Sequence, residues 1–453
     1  MPHAGKRCAF YSLGCKVNQY DTEGLIELFR KQGYEIVDFD SEADVYCINT
    51  CTVTHVADRK SRQAARRGKR KNPKAVVVVT GCYAQAEPEK VASIDGVDVV
   101  VGTKSRADII DLVNLAIQGK TQLPIVSVGE IMSQHEFEET PISCFTHRIR
   151  GFVKIQEGCD RFCTYCKVPF VRGPSRSRDF RRIIEEVKRL VDSGVKEIVL
   201  TGIHVGAYCI NSKQLNDPKS SDLTRLINQI HDIPSIGRIR LSSIGPLDIN
   251  EGLIEIIKEL PKVAKHLHIP LQSGDDEILK KMGRRYRTYE YFDMIEKIRS
   301  EIPDIAITTD IMVGFPGETE ENFYKSYEFI KRLGFSSMHV FKFSKRSGTK
   351  ASSMANQINP KVMNVRSRKM IKLAKKLESQ FCISFIGKDE EILPEDYNPK
   401  TQILSGLGSR YINIKISGTE ELIGKLIPVR IEKVLGNVSI GKRLFTPREG
   451  FKF

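Results

Sequence analysis

The chain has 453 residues, 40% hydrophobic and 28% charged, and carries a formal charge of +15 from 71 Lys and Arg against 56 Asp and Glu. This is too long for a single hydrophobic core, so about two to four domains are expected. No apolar run, Ala75–Val79 and Val97–Val101 included, approaches the ~20 residues of a membrane span. Lys6 and Arg7 ahead of Ser12-Leu13-Gly14-Cys15 imitate a lipoprotein cleavage site, but the apolar stretch between them is too short for a signal segment, so a cytoplasmic protein is expected. The basic surplus favours a polyanionic partner, nucleic acid ahead of membrane. Eleven cysteines without an export signal indicate metal or redox chemistry where they cluster and small buried hydrophobes where they scatter.

Residues 7–117 alternate strand-like runs, Arg7–Leu13, Asp44–Thr50, Ala75–Thr80 and Val97–Val101, with polar helical runs. That pattern predicts an open, mainly parallel α/β sheet. Cys15, Cys51 and Cys82 each follow a strand, and such sheets place their sites outside the carboxyl ends of strands, so the three can converge. Gly14 and Gly81, just before two of them, let the backbone turn toward a bulky group. Cys47 lies mid-strand and reads as core, while Cys8, Cys144, Cys209 and Cys382 read as packing or surface thiols. The run Arg59–Lys71 predicts a basic helix with Arg59, Arg62 and Arg66 on one face and Arg67 beside them. It starts eight residues after Cys51, and its four arginines are the candidate RNA contacts.

Residues 118–148 look irregular, with an acidic, aromatic patch at His135–Thr140. The expected organisation is an N-terminal domain at 1–117, a linker at 118–143, a central domain at 144–376 and a small C-terminal domain at 377–446. From Gly151 a second series begins, with strands at Phe152–Gln156, Glu197–Thr201, Arg238–Ser243, His266–Leu271, Ala306–Val313 and Met338–Phe343 and helices such as Phe180–Ser193 and Glu318–Leu333. Six βα units predict an incomplete parallel barrel with its reactive groups at the carboxyl mouth of the strands. Residues 360–378 read as a basic helix; beyond it, Tyr411–Ile416 and Ile427–Val434 alternate as strands of a small antiparallel barrel.

Cys159, Cys163 and Cys166 follow the first barrel strand. Three thiolates in one short loop can hold one side of an iron–sulfur cube and leave the fourth iron open to a substrate. The other reading is zinc, with a fourth ligand from Cys144, His147, His204 or Cys209. The C-x3-C-x2-C spacing with Tyr165 before the last cysteine resembles the signature of radical S-adenosylmethionine enzymes. In those enzymes the methionyl group chelates the open iron, and one electron splits the sulfonium to a 5′-deoxyadenosyl radical. On that resemblance Tyr165, Gly202, Gln272, Ser273 and Phe341 are candidate cofactor contacts, each with packing or turn formation as its plain alternative.

The paired cysteine triads resemble the methylthiotransferase branch of those enzymes over nearly the whole chain. The similarity is carried by Ser12–Asn18, Ile48–Val53, Val79–Gln85, Ile155–Cys159, Pro270–Gly274 and Asp310–Thr319, and the C-terminal strands resemble a TRAM barrel. The resemblance implies an N-terminal open parallel α/β sheet, a central partial (βα)6 radical-SAM barrel and a C-terminal small antiparallel TRAM β-barrel that binds RNA. It also implies two [4Fe-4S] clusters, S-adenosylmethionine, tRNA as partner and an external electron donor of flavodoxin or ferredoxin type, with no DNA or membrane partner. Gly14–Asn18 and Leu200–His204 look most like enzymes acting on N6-threonylcarbamoyladenosine beside the anticodon. The implied reaction is methylthiolation of C2 of that base. The alternatives are the isopentenyladenosine enzymes, the class that modifies a ribosomal-protein aspartate, and a non-catalytic, zinc-stabilised RNA-binding protein. His204 reads as a positioning residue.

Overall fold

The computed structural model describes residues 5–104, 106–119, 124–140, 142, 149–210 and 221–444. Cys144 and His147 lie outside them. Strands β1 (Arg7–Ser12), β2 (Glu35–Val37), β3 (Val45–Thr50), β4 (Val76–Gly81), β5 (Val99–Val101) and β6 (Ile125–Ser127) form a sheet in the order β2-β1-β3-β4-β5-β6, parallel at every pairing. β3 and β4 are buried along their whole lengths because helices cover both faces. Alternate residues feed two separate apolar clusters: Tyr46, Ile48, Val77 and Val79 on one face, Val45, Cys47, Val76 and Val78 on the other. The sequence of strands is wound outward in opposite senses on either side of the β1–β3 pair, so the carboxyl ends of β1, β3 and β4 form a crevice at the switch point.

The stretch expected to be an irregular linker contributes β6, and its acidic patch is fastened down. Arg106 pairs with Glu138 at 2.8 Å and Arg178 with Glu139 at 2.8 Å. Ile142 packs with Tyr20, Phe152 and Val199. Strands β2 and β6, three residues each, were not anticipated.

Strands β7 (Arg150–Glu157), β8 (Arg176–Ser177), β9 (Glu197–Gly202), β10 (Arg238–Leu241), β11 (His266–His268), β12 (Ala306–Val313) and β13 (Ser337–Lys342) build the central barrel. It consists of two sheets, β10-β9-β7-β8 and β11-β12-β13, joined by single bridges such as Ser243 to His268. The short β8 is antiparallel to β7, and the other six strands are the expected βα series. Outward positions such as Ile155, Leu200, Ile239, Leu267 and Ile307 meet the surrounding helices. Inward positions are polar: Lys154, Glu197, Arg240, His266, His268, Thr308 and Asp310.

The long helix Pro360–Ile383 runs past the expected boundary at residue 377 into the C-terminal unit. There β14 (Asp389–Asn398), β15 (Ile403–Gly408), β16 (Asn413–Ser417), β17 (Ile427–Leu435) and β18 (Val438–Arg443) close as β14-β15-β16-β18-β17. The barrel is antiparallel except at β16–β18, which pair in parallel. Among the described residues no helix is long and apolar enough to cross a membrane.

A buried ionic hub joins the N-terminal sheet to the barrel. Lys154 Nζ donates to Asp21 at 2.6 Å and to Glu157 at 2.7 Å. Arg172 donates to the same two carboxylates at 2.7 and 2.8 Å. Burial opposes both negative charges, yet Lys154 and Arg172 hold Glu157 at about 2, and Arg106, Lys154 and Arg172 push Asp21 far below the ordinary range. Because folded-state values are depressed, this stabilisation is complete above the unfolded carboxylate range, about 4, and is lost as pH falls toward 2. Acid titration followed by circular dichroism is therefore expected to show the loss of stability beginning near pH 4. Asp21→Asn strands buried cations and is expected to cost about 3–5 kcal/mol in denaturant unfolding.

Candidate active site

Cys159, Cys163, Cys166 and Tyr165 line a cavity at the mouth of the barrel together with His204, Asp248, Gln272 and Arg284. Gly158 sets the loop: its φ is +73°, and a Cβ there would lie 1.9 Å from the carbonyl oxygen of Pro174. The Cys159 amide donates to the carbonyl of Gly173 and that of Cys166 to the carbonyl of Cys163. Arg284 Nη1 reaches the Cys163 sulfur at 3.5 Å. His204 Nε2 meets Asp248 at 2.6 Å. Burial opposes charge on His204, but hydrogen bonds to Asp248 and Cys159 prevail and raise it to about 9. Gln272, with φ +72°, is buried and has no partner for its Oε1 among the described residues. Such a strained, unsatisfied group in a cavity wall is positioned for a ligand.

The second triad gathers at the crevice of the parallel sheet. Cys15 is exposed, whereas Cys51 and Cys82 are buried. Gly14, at φ +102°, allows the close approach, since a Cβ would lie 2.8 Å from that of Cys51. Burial, then repulsion from Cys82, pushes the Cys51 thiol up to about 12. Burial raises Cys82 too, against the nearby Arg172, whose Nε donates to its sulfur at 3.2 Å. Asn18 Nδ2 donates to the carbonyls of Leu13 and Thr50 at 2.7 and 2.8 Å, tying together the turns that carry Cys15 and Cys51.

A single zinc ion needs sulfurs about 4 Å apart, given Zn–S bonds near 2.3 Å. The one group of three ligand atoms within 4.8 Å among the described residues is His268, Asp310 and His339. Neither cysteine triad forms so tight a group among the described residues. An arginine also donates to one sulfur of each triad, a contact that would stabilise a negatively charged cluster held there.

Cys15 and Cys51 line a second cavity, with Lys16, Gly202, His266, Thr308, Asp310, His339 and Tyr411. Ser243 lines both cavities. Thus Tyr165 and Gln272 face the cavity of the first triad, and Gly202 faces that of the second. Ser273 is buried with its hydroxyl accepting from the Asp275 amide at 3.3 Å. Phe341 packs with Tyr165, Met312, Phe315 and Phe343. On the basic helix (His55–Lys71), Arg59 and Arg66 are exposed. Arg62 donates to the Tyr83 hydroxyl at 3.2 Å, and Arg67 pairs with Asp40 at 2.9 Å over the Phe39 ring. Sequence reasoning missed Arg172, Arg284 and the lining role of Lys16, because none stands in a spacing pattern of its own.

Residues 153–330 match the Radical SAM superfamily and residues 7–102 the uncharacterized protein family UPF0004. The chain is 43% identical to the threonylcarbamoyladenosine tRNA methylthiotransferase MtaB of Bacillus subtilis, over 94% of this chain and 93% of that one. The chain belongs to the radical S-adenosylmethionine methylthiotransferase family. The enzyme is also 39% identical to the MtaB of Aquifex aeolicus over 94% and 100% of the two chains. A tRNA-2-methylthio-N(6)-dimethylallyladenosine synthase of Lachnoclostridium phytofermentans is 34% identical over 96% and 94%. In fold, the methylthiotransferase resembles the radical S-adenosylmethionine methyltransferase TsrM of Kitasatospora setae, with a TM-score of 0.55, 14% identity and 77% coverage of each chain. Membership of the radical SAM superfamily makes S-adenosylmethionine and a [4Fe-4S] cluster its cofactors, and Cys159, Cys163 and Cys166 fit that cluster. In this methylthiotransferase Gly158→Ala combines a left-handed φ with a backbone clash. It is expected to abolish S-adenosylmethionine cleavage, measured as 5′-deoxyadenosine release, and to lower bound iron.

Proposed function

We propose that this methylthiotransferase acts on C2 of N6-threonylcarbamoyladenosine beside the anticodon of tRNA. Its two [4Fe-4S] clusters are held by Cys159, Cys163 and Cys166 and by Cys15, Cys51 and Cys82. The observation that carries this reading is the pair of adjoining cavities, one at each triad, meeting at Ser243. A base seated there is reachable from both. When bound, the first cluster with S-adenosylmethionine supplies the radical that takes hydrogen from the inert C–H bond, and the second supplies the methylated sulfur. The chain's own residues hold and insulate: Ile203, Ile244 and Leu247 form apolar wall at the first triad, while Arg284 and Arg172 donate to sulfurs.

The threonylcarbamoyl arm is favoured over dimethylallyl by the polarity of the second cavity, which includes Thr308, Thr309, Asp310, Ser337 and three histidines. A hydrocarbon arm would leave the buried Nδ1 of His266 in that wall without a partner, a loss that rejects analogues. The exposed Arg59 and Arg66 and the small C-terminal barrel supply phosphate and RNA contacts, which a ribosomal-protein substrate would not require. An external flavodoxin- or ferredoxin-type donor supplies the electron, in the cytoplasm with the tRNA pool.

Replacing Cys15, Cys51 and Cys82 together by Ala is expected to halve the iron of anaerobically reconstituted protein from about eight per chain. That variant should still cleave S-adenosylmethionine but form no methylthiolated nucleoside by mass spectrometry. Cells lacking the enzyme should lose 2-methylthio-N6-threonylcarbamoyladenosine; its persistence would refute the substrate assignment. Arg59→Glu with Arg66→Glu is expected to weaken tRNA binding and flatten its salt dependence by about two phosphate contacts.

A further inference from the structure

The second cavity holds a cation with no carboxylate beside it among its lining residues that is free to pair. Lys16 is the only lysine or arginine among the described residues lining it. Cations on the inward faces of the neighbouring barrel strands have acidic partners: Arg240 pairs with Glu197 at 2.8 Å, Arg238 with Glu197 at 2.9 Å and Lys154 with Asp21 at 2.6 Å. No described carboxylate pairs with Lys16. The cavity's one acid, Asp310, is engaged on both sides, by His268 at 3.3 Å and His339 at 3.2 Å.

His266 is a second, independent observation. Its side chain is 4% exposed, its Nε2 lies 3.0 Å from the Thr308 hydroxyl, and its ring stacks on Tyr411 at 4.7 Å. Its Nδ1 has no partner among the described residues. A buried ring nitrogen left unsatisfied in a cavity wall costs free energy that a ligand group recovers. Lys16 is close enough for its charge to bear on both His266 and His339.

An unpaired ammonium and an unpaired imidazole nitrogen in one recess ask for a ligand with an anion and a hydroxyl. We propose that Lys16 binds the carboxylate, and His266 Nδ1 the hydroxyl, of the amino-acid arm carried by the substrate adenine. This deepens the substrate reading above and rests on it. The hydroxyl can donate or accept, so it satisfies Nδ1 in either tautomer of His266. Lys16 follows Cys15 directly, so the contact that selects the arm is attached to the loop that holds the second triad. These are specificity contacts to the arm and not to the reacting carbon.

The test uses reconstituted enzyme and anticodon stem-loop RNAs bearing N6-threonylcarbamoyladenosine or its carboxamide, in which the acid becomes –CONH2. Affinity is read by fluorescence anisotropy and turnover by nucleoside mass spectrometry. Wild-type enzyme is expected to prefer acid over amide by about 10- to 100-fold, chiefly in Kd and KM. Lys16→Gln should abolish that preference, and Lys16→Arg should retain it. His266→Phe, which keeps a ring against Tyr411, should lose the preference for the threonyl arm over a glycyl arm without the hydroxyl. Equal treatment of acid and amide by wild type, or a Lys16→Gln defect identical on both RNAs, would overturn the assignment of Lys16. An unchanged threonyl preference in His266→Phe would overturn that of His266. Wild type that methylthiolates the acid RNA without discriminating keeps the substrate reading and removes only this inference. Wild type that cleaves S-adenosylmethionine yet modifies neither RNA removes both.

Discussion

The arrangement of this enzyme depends on Arg172. One side chain, 1% exposed, donates to Cys82 through Nε and to Asp21 and Glu157 through Nη1. Asp21 belongs to the helix that starts just after Cys15, and Glu157 stands two residues before Cys159. The guanidinium therefore connects both triads through rigid, charge-assisted bonds. Taking these charges out of water is expensive, and hydrophobic residues of similar volume would stabilise the chain as well or better. What an apolar interface could not supply is direction. A planar fork with fixed donor angles holds two domains, each with its cysteine triad, in one relative orientation.

A second consequence of buried charge is the polar lumen. The inward faces of β9 and β10 carry Glu197, Arg238 and Arg240 where a closed barrel would carry packed aliphatics. The arginines extend past Glu197 to carbonyls of the C-terminal barrel, Arg238 to Glu391 at 2.6 Å and Arg240 to Gly408 at 2.9 Å. That barrel is thereby fixed beneath the lumen, and Tyr411, with φ +62°, reaches the second cavity. On the opposite side Arg346 binds Asp58 at 2.8 Å and also Thr52, anchoring the loop after Cys51 to the loop after β13. All three domains contribute wall to one cavity.

Much of the fold was legible because parallel strands buried on both faces read as continuous apolar runs. Val76–Val79 and Val99–Val101 needed only their β-branched content and turn residues at their ends. β2 and β6 were not legible. Three residues at a sheet edge contain no measurable period, and Ile125–Ser127 becomes a strand only because β5 offers a free edge. Arg67 shows the same limit on a helix. Spacing identified its face, but Phe39 and Asp40, far away in sequence, decide that it packs within the domain while Arg59 and Arg66 remain exposed.

By itself the sequence determined the chemistry. Thiols at C-x3-C-x2-C spacing in one loop are local, and a cysteine after each of three parallel strands follows from topology, so both triads could be inferred before any coordinate. Tertiary structure alone decided what surrounds them. Arg172, Arg284 and His204 reach sulfurs of the two triads across 90, 121 and 45 residues of chain. Long polar side chains choose partners by three-dimensional proximity and desolvation, and neither quantity is encoded in spacing along the chain.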